Sequence, residues 1–181
     1  EYRPELFPST PVPNVAFHNN GDLTFSDKSA DWGFTEPTLS NGVSCSDLDN
    51  DGDLDIVINN VNKVSAIYEN RAVHNDSHYL KVKLAGPERN PFGLGSLVFV
   101  TTGKVTQKQE LTLTRGYQSG LPPVVHFGLG TALEIDTLKI IWPDGNQQVL
   151  THLAPDHMLQ LKYADATPRE PLPEPAPAFR D

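Results

Sequence analysis

The sequence predicts an all-β chain in two parts: a blade-like repeat, then a seven-stranded β-sandwich-like domain. Turn residues recur at short intervals, and no stretch carries the apolar period of a convincing amphipathic helix. Tyr79–Leu84 alternates apolar and charged side chains, as a strand with one buried face should. The 181 residues suffice for one large or two small domains with real cores.

Taken in order, residues 1–13 read as an extended lead-in and 14–72 as the blade-like repeat. Asn19-Asn20-Gly21-Asp22 is a hairpin turn between Val15–His18 and Leu23–Ser26, because Asn and Gly accept the backbone angles such turns need. Gly33 through Asn41 reads as loop. Val43–Ser46 then leads into an acidic loop, Ile56–Asn59 leaves it, and Ser65–Tyr68 is a further strand. Ala16-Phe17-His18-Asn19 recurs faintly as Ile67-Tyr68-Glu69-Asn70, a spacing of roughly 50 residues that suits a propeller blade of short strands. One such unit cannot bury both of its faces, and repeat folds generally need about three.

Residues 78–164 form the sandwich-like part. Its strands are Tyr79–Leu84, Leu97–Thr101, Val105–Thr114, Val124–Phe127, Thr137–Trp142, Gln147–Leu150 and Met158–Tyr163. Seven short strands in such a span suit two packed sheets. Asn90-Pro91-Phe92-Gly93 and Trp142-Pro143-Asp144-Gly145 are type I turn patterns. Residues 165–181 are a proline-rich linker or tail, extended over Pro168 to Pro177. A start at Glu1 and an end at Phe179-Arg180-Asp181 suggest a processed form or a piece of something longer.

The most informative stretch is Asp47-Leu48-Asp49-Asn50-Asp51-Gly52-Asp53-Leu54-Asp55. Carboxylates at alternating positions repel one another unless a cation offsets them. Calcium takes six to eight oxygens, and D-x-D-x-D-G wraps the chain around one, with glycine permitting the sharp turn. An EF-hand would carry Glu at the twelfth place, where this chain has Ile58. The closing acid is Asp55, followed directly by the apolar strand Ile56-Val57-Ile58. Asp47, Asp49, Asp51 and Asp55 are expected to face the ion. Residue 53 would contribute its main-chain carbonyl, leaving the Asp53 carboxylate toward solvent, and Leu54 would turn into the core. A solvated acidic turn is the alternative, but turn propensity does not demand alternation over the whole run.

Composition narrows the function. Net charge is −9 and no basic stripe appears, which argues against nucleic acid as a partner. No stretch has the composition of a transmembrane helix or a signal peptide. Cys45 is the single cysteine, so no intrachain disulfide can form. A calcium loop of this kind suits the millimolar calcium outside the cytosol.

Two stretches resemble known families. Residues 14–70 resemble the FG-GAP/VCBS repeat of integrin-like propellers, through Phe17-His18-Asn19-Asn20-Gly21-Asp22, Phe25, Gly33, the Asp47–Asp55 loop and Tyr68-Glu69-Asn70. Residues 78–163 resemble the ASPIC/UnbV domain. There the carrying residues are Tyr79–Leu84, Gly86, Asn90, Gly93-Leu94-Gly95, Gly116-Tyr117-Gln118-Ser119, His126-Phe127-Gly128-Leu129-Gly130 and Trp142-Pro143-Asp144-Gly145. Pro91 and Ser96 depart from the pattern, where Arg and Ala are usual, and Cys45 replaces a small apolar residue. The resemblance implies an extracellular or cell-surface protein, outer membrane-associated if bacterial. It also implies calcium-loaded propeller repeats, with relatives in animal matrix and among secreted bacterial proteins. The chain would then be a last blade plus a capping sandwich, working with other blades or chains of a larger assembly.

Catalytic patterns are wanting. Gly116-Tyr117-Gln118-Ser119-Gly120 has the wrong spacing for a nucleophile elbow. Gly128-Leu129-Gly130 lacks the remainder of a dinucleotide site and reads as a glycine turn. His74 and His78 flank turn-like residues rather than a zinc-binding helix turn, and Asn75-Asp76-Ser77 has a glycosylation pattern that also arises by chance. His126 reads as a half-buried, hydrogen-bonded histidine. Trp32, Phe34, Phe92 and Tyr117 could stack on a sugar, or plug sheet edges. The expected function is a non-enzymatic, calcium-stabilised binding or adhesion module with a protein or glycan ligand. The alternatives are an accessory subunit of a surface complex, or the non-catalytic part of a secreted carbohydrate-active enzyme.

Overall fold

The computed structural model describes residues 10–61, 63–71 and 76–168. His74, Asn75, residues 1–9 of the lead-in and residues 169–181 of the proline-rich tail lie outside them. The described residues are all-β apart from one 3-10 turn at Tyr163–Asp165. They fold into two compact units, each discontinuous in sequence. Unit 1 takes the described residues up to Leu48, those of Leu54–Asn70, and Thr114–Gly120. Unit 2 takes Asp49–Asp53, the described residues of Arg71–Leu113, and those from Leu121 onward.

Unit 1 is built from short strands. β1 (Val12–Pro13) pairs with β4 (Pro37–Thr38), and β2 (Phe17–Asn19) pairs with β3 (Phe25–Asp27). β5 (Ser40–Ser46), β6 (Asp55–Asn60) and β7 (Ala66–Tyr68) form an antiparallel sheet in that order. The hairpin expected around Gly21 is present, and its connection runs over Asn20–Thr24. There Asn19 Oδ1 accepts the Gly21 amide at 2.9 Å and Asp22 Oδ1 accepts the Thr24 amide at 3.0 Å. These side chains supply the backbone bonds that a shorter turn would make itself. Gly33–Asn41, expected as loop, contains β4 and the start of β5. Phe34 and Ile58 are the buried large apolar side chains of this unit among the described residues.

Unit 1 also protects one edge of its sheet. Ser119 Oγ accepts the Val43 amide at 3.0 Å, and the Ser44 hydroxyl donates to the Gly120 carbonyl at 2.6 Å. Segment 114–120 therefore occupies the Val43 amide of β5, which an open sheet edge would leave unpaired, and holds the Ser44 side chain beside it. Val105–Thr114, expected as one strand, consequently divides. The strand stops at Glu110, and Thr114 bridges to Gly120.

Unit 2 holds seven strands among the described residues, the number expected: β8 (His78–Ala85), β9 (Leu97–Thr102), β10 (Val105–Glu110), β11 (Val124–Gly130), β12 (Ile135–Ile141), β13 (Gln147–Leu153) and β14 (His157–Lys162). They form a four-stranded sheet, β10-β9-β12-β13, and a three-stranded sheet, β11-β8-β14. β14 runs parallel to β8, and the other pairs are antiparallel. Side chains two apart share one face of a strand. Leu80, Val82 and Leu84 of β8 therefore meet Val98 and Val100 of β9, Val125 and Phe127 of β11, and Leu138 and Ile140 of β12 in one buried core. Burying each such side chain is worth about 1.5–3 kcal/mol. β10 is the polar edge, carrying Gln107, Lys108 and Gln109.

Both type I turn patterns close as expected. The Gly93 amide donates to the Asn90 carbonyl at 2.9 Å, and the Gly145 amide to the Trp142 carbonyl at 2.9 Å. Asn90 does more than turn: its amide group exchanges two hydrogen bonds, both 2.9 Å, with the backbone of Leu94. Gly93 sits at φ 67°, where an added Cβ would stand 2.9 Å from the Trp142 ring. Gly128-Leu129-Gly130 is not the glycine turn expected but the end of β11, with a register shift there. Leu129 points into the core, and the glycine at 130 accommodates φ 57°.

Candidate metal site

The acidic loop joins β5 to β6, so both of its ends are held by the same antiparallel pair. Inside it, two carboxylates each reach forward to an amide two residues on. Asp49 Oδ1 accepts the Asp51 N–H at 3.2 Å, and Asp51 Oδ1 accepts the Asp53 N–H at 3.0 Å. These are the side-chain turns that Asp forms readily. Asn50 at φ 66° and Gly52 at φ 102° supply the left-handed bends between them. Asp55 closes the loop: its Oδ2 accepts the Leu48 amide and its Oδ1 the Asn70 amide, both at 2.9 Å.

The outcome is a convergence of hard oxygen donors. Asp47, Asp49 and Asp55 each offer a carboxylate oxygen, and these atoms all lie within 4.8 Å of one another. Asp51, expected to face an ion alongside them, stands outside that group and is engaged with the Asp53 amide. Asp53 differs most from expectation: its side chain, predicted to face solvent, is buried, with 5% of its surface exposed. Leu54, predicted to enter the core, is only half-buried. Alternation along an extended strand would send the two residues to opposite faces, but the bends at Asn50 and Gly52 break that alternation.

The residues present fit a hard divalent cation. The donors are carboxylate oxygens without thiolate or imidazole, the chemistry that suits calcium or magnesium rather than zinc or copper. The loop is also closed by contacts of its own. An added Cβ at residue 52 would stand 1.9 Å from Cε1 of Tyr79, so the aromatic ring fills the space a side chain would need. The Gly52 carbonyl accepts a hydrogen bond from His126 Nε2 at 2.7 Å. The Tyr79 and His126 rings stack, with centroids 6.0 Å apart and planes 7° from parallel. Nothing in the loop pattern points to these two residues, because their approach is set by β8 and β11.

Other candidate residues fall elsewhere. Phe34 is buried and packs on Tyr68 with ring centroids 4.6 Å apart, which removes it from any sugar-stacking surface. Trp32, Phe92 and Tyr117 remain exposed. His78 Nδ1 pairs with Asp156 Oδ2 at 2.6 Å. Burial pushes the Cys45 thiol above its ordinary value, which makes it a poor nucleophile. An open groove of about 400 Å³ in unit 1 runs beside Phe34, Val43, Ile58 and Tyr117. Among its lining residues there is no carboxylate, histidine, lysine or cysteine, so it offers no acid–base pair.

Comparison with known proteins agrees with the two-part architecture. Residues 3–58 match the model of the FG-GAP-like repeat, and residues 86–168 match that of ASPIC and UnbV. In order along the chain, the matches are to an FG-GAP-like repeat and then to ASPIC and UnbV. The acidic loop falls inside the first match, and six of the seven sandwich strands inside the second. β8, which precedes residue 86, is nonetheless the central strand of its sheet. The chain is also similar to human cartilage acidic protein 1, 40% identical over 63 residues. That similarity takes in 34% of this chain and 10% of the human protein. FG-GAP-like repeats often bind calcium, and both domains are generally non-catalytic. Among the described residues no helix is long and apolar enough to cross a membrane.

Proposed function

We propose that this chain is a calcium-stabilised extracellular binding or adhesion module, working as part of a larger cell-surface protein. The observation that carries the reading is the convergence of Asp47, Asp49 and Asp55 oxygens in a loop whose sequence alternates acids around a left-handed glycine. Asp47, Asp49 and Asp55 would hold the ion, with Asp51 and Asp53 shaping the loop around it. Calcium, when bound, supplies the charge that offsets their mutual repulsion. Binding energy then becomes folding energy, because the unfolded chain does not hold these oxygens together.

A second reading, as a structural or accessory subunit, is favoured by unit 1. Val15, Phe17, Phe25 and Ile67 are each more than half exposed, in a unit whose buried large apolar residues are Phe34 and Ile58. Apolar surface of this kind marks places where other protein packs. Both readings are compatible with further blades in the same assembly, and a protein or glycan ligand remains part of the proposal.

Thermal melts in excess chelator and in millimolar calcium, for the wild type and Asp49→Ala, test the first reading. A calcium-dependent rise in the wild-type midpoint, abolished by Asp49→Ala, is expected. Coincident wild-type curves would remove the calcium reading and leave an acidic turn.

A further inference from the structure

We propose that His126 and Tyr79 are positioning residues for the metal loop, setting its affinity without touching the ion. The inference rests on the calcium reading above and adds to it two residues outside the acidic pattern.

The argument starts from the peptide joining Gly52 to Asp53. A trans peptide is planar, so its carbonyl and its N–H point to opposite sides and turn together. On one side, the Gly52 carbonyl accepts from His126 Nε2 at 2.7 Å. On the other, the Asp53 N–H donates to Asp51 Oδ1 at 3.0 Å. Fixing the plane from the His126 side therefore aims the amide that holds Asp51. The Asp51 N–H in turn donates to Asp49 Oδ1 at 3.2 Å, and Asp49 belongs to the converging group. One histidine thus orients a run of two carboxylates through the backbone.

Tyr79 acts on the same peptide from another direction. Its ring lies where a Cβ on residue 52 would be, and it stacks on the His126 ring. Lys81 Nζ stands 5.4 Å from the centroid of the Tyr79 ring. The register of β8 and β11 pairs Lys81 with His126 and Tyr79 with Gly128, so the two rings come from neighbouring strands of one sheet. A glycine turn with no such support would sample many conformations, and the repulsion of the acids would spread the loop before an ion arrives. Groups that orient metal ligands from behind typically contribute 10–100-fold in affinity. Holding the loop in its bound shape acts by lowering the ordering cost of binding.

The experiment is a calorimetric calcium titration of the wild type, His126→Phe, His126→Gln, Tyr79→Ala and Tyr79→Phe, each paired with a melt in chelator. His126→Phe keeps an aromatic ring but loses the donor, and is expected to bind calcium about 10-fold or more weakly. His126→Gln, which restores a side-chain N–H, should recover part of that loss, and Tyr79→Phe should bind as the wild type does. Tyr79→Ala should weaken binding while its chelator-state melt stays cooperative, since Tyr79 is only half-buried. Were Tyr79→Ala to lose that cooperative melt, the His126→Phe and His126→Gln pair decides alone, because the stacked ring or a comparable polar group is kept. Wild-type affinity in both His126→Phe and Tyr79→Ala would overturn the positioning role and leave the calcium reading standing. Absence of calcium uptake by the wild type would overturn both.

Discussion

Asp55 Oδ1 accepts the amide of Asn70 at 2.9 Å, tying the last acid of the loop to the chain that leaves β7. The other oxygen of the same carboxylate holds Leu48, so Asp55 is a structural clasp as well as a candidate ligand. Its side chain is almost wholly buried, with 3% of its surface exposed. Asp55→Ala would leave two amides without their acceptor, at a cost of about 1–3 kcal/mol. Chemical denaturation in chelator should register that loss. The same experiment on Asp49→Ala should give a smaller change, because Asp49 is exposed. Equal stabilities for the two variants without metal would contradict the clasp.

Gly52→Ala combines two penalties: a left-handed backbone at φ 102° and a Cβ directed into the Tyr79 ring. Backbone strain of this type costs about 1–3 kcal/mol before any displacement of the ring. The variant should melt at a lower temperature even in chelator. Gly21→Ala provides the control: φ there is 80°, yet nothing stands within 4 Å of the added carbon. The difference between the two variants isolates the Tyr79 contact.

Ser96 lies fully buried, and its hydroxyl has no hydrogen-bond partner among the described residues. A hydroxyl taken out of water without compensation costs about 1–3 kcal/mol. Ser96→Ala removes one small polar atom from the sandwich and should stabilise it by about 1 kcal/mol. The midpoint of urea unfolding, at unchanged slope, is the appropriate measure. A lower midpoint would mean that the hydroxyl is satisfied.

The Trp142–Gly145 turn carries a pH-dependent lock. Tyr163 donates its hydroxyl to Asp144 Oδ2 at 2.5 Å, and Asp144 Oδ1 accepts the Asn146 amide at 3.0 Å. The Tyr163 hydroxyl first, then the Asn146 amide, holds the Asp144 carboxyl below its ordinary 3.8. A lowered carboxyl stabilises the fold fully above its unfolded value, and that contribution is lost as pH falls through the folded one. The same hydrogen bond to Asp144 raises Tyr163 above its ordinary 10.0, a contribution present below that value and lost as pH climbs through the raised one. Tyr163→Phe should therefore flatten both the acid and the alkaline arm of the stability curve. Arms unchanged from the wild type would show that the lock carries no weight in solution.

Much of this architecture was legible in the residues themselves. Recurrent turn signals, with alternation along Tyr79–Leu84, marked out seven sandwich strands, and the turn patterns at Asn90 and Trp142 closed where their Pro and Gly placed them. The Asp47–Asp55 pattern located the acidic loop between two strands. These features arise from interactions between residues close in sequence, where side-chain periodicity and backbone preference act directly. The tertiary structure decided the remainder. It buried Asp53, ended β10 at Glu110, and laid β14 parallel to β8. It also brought Tyr79 and His126 to Gly52, which no spacing along the chain announces. Each of these outcomes depends on which distant segments close upon one another, and local propensity is silent on that choice.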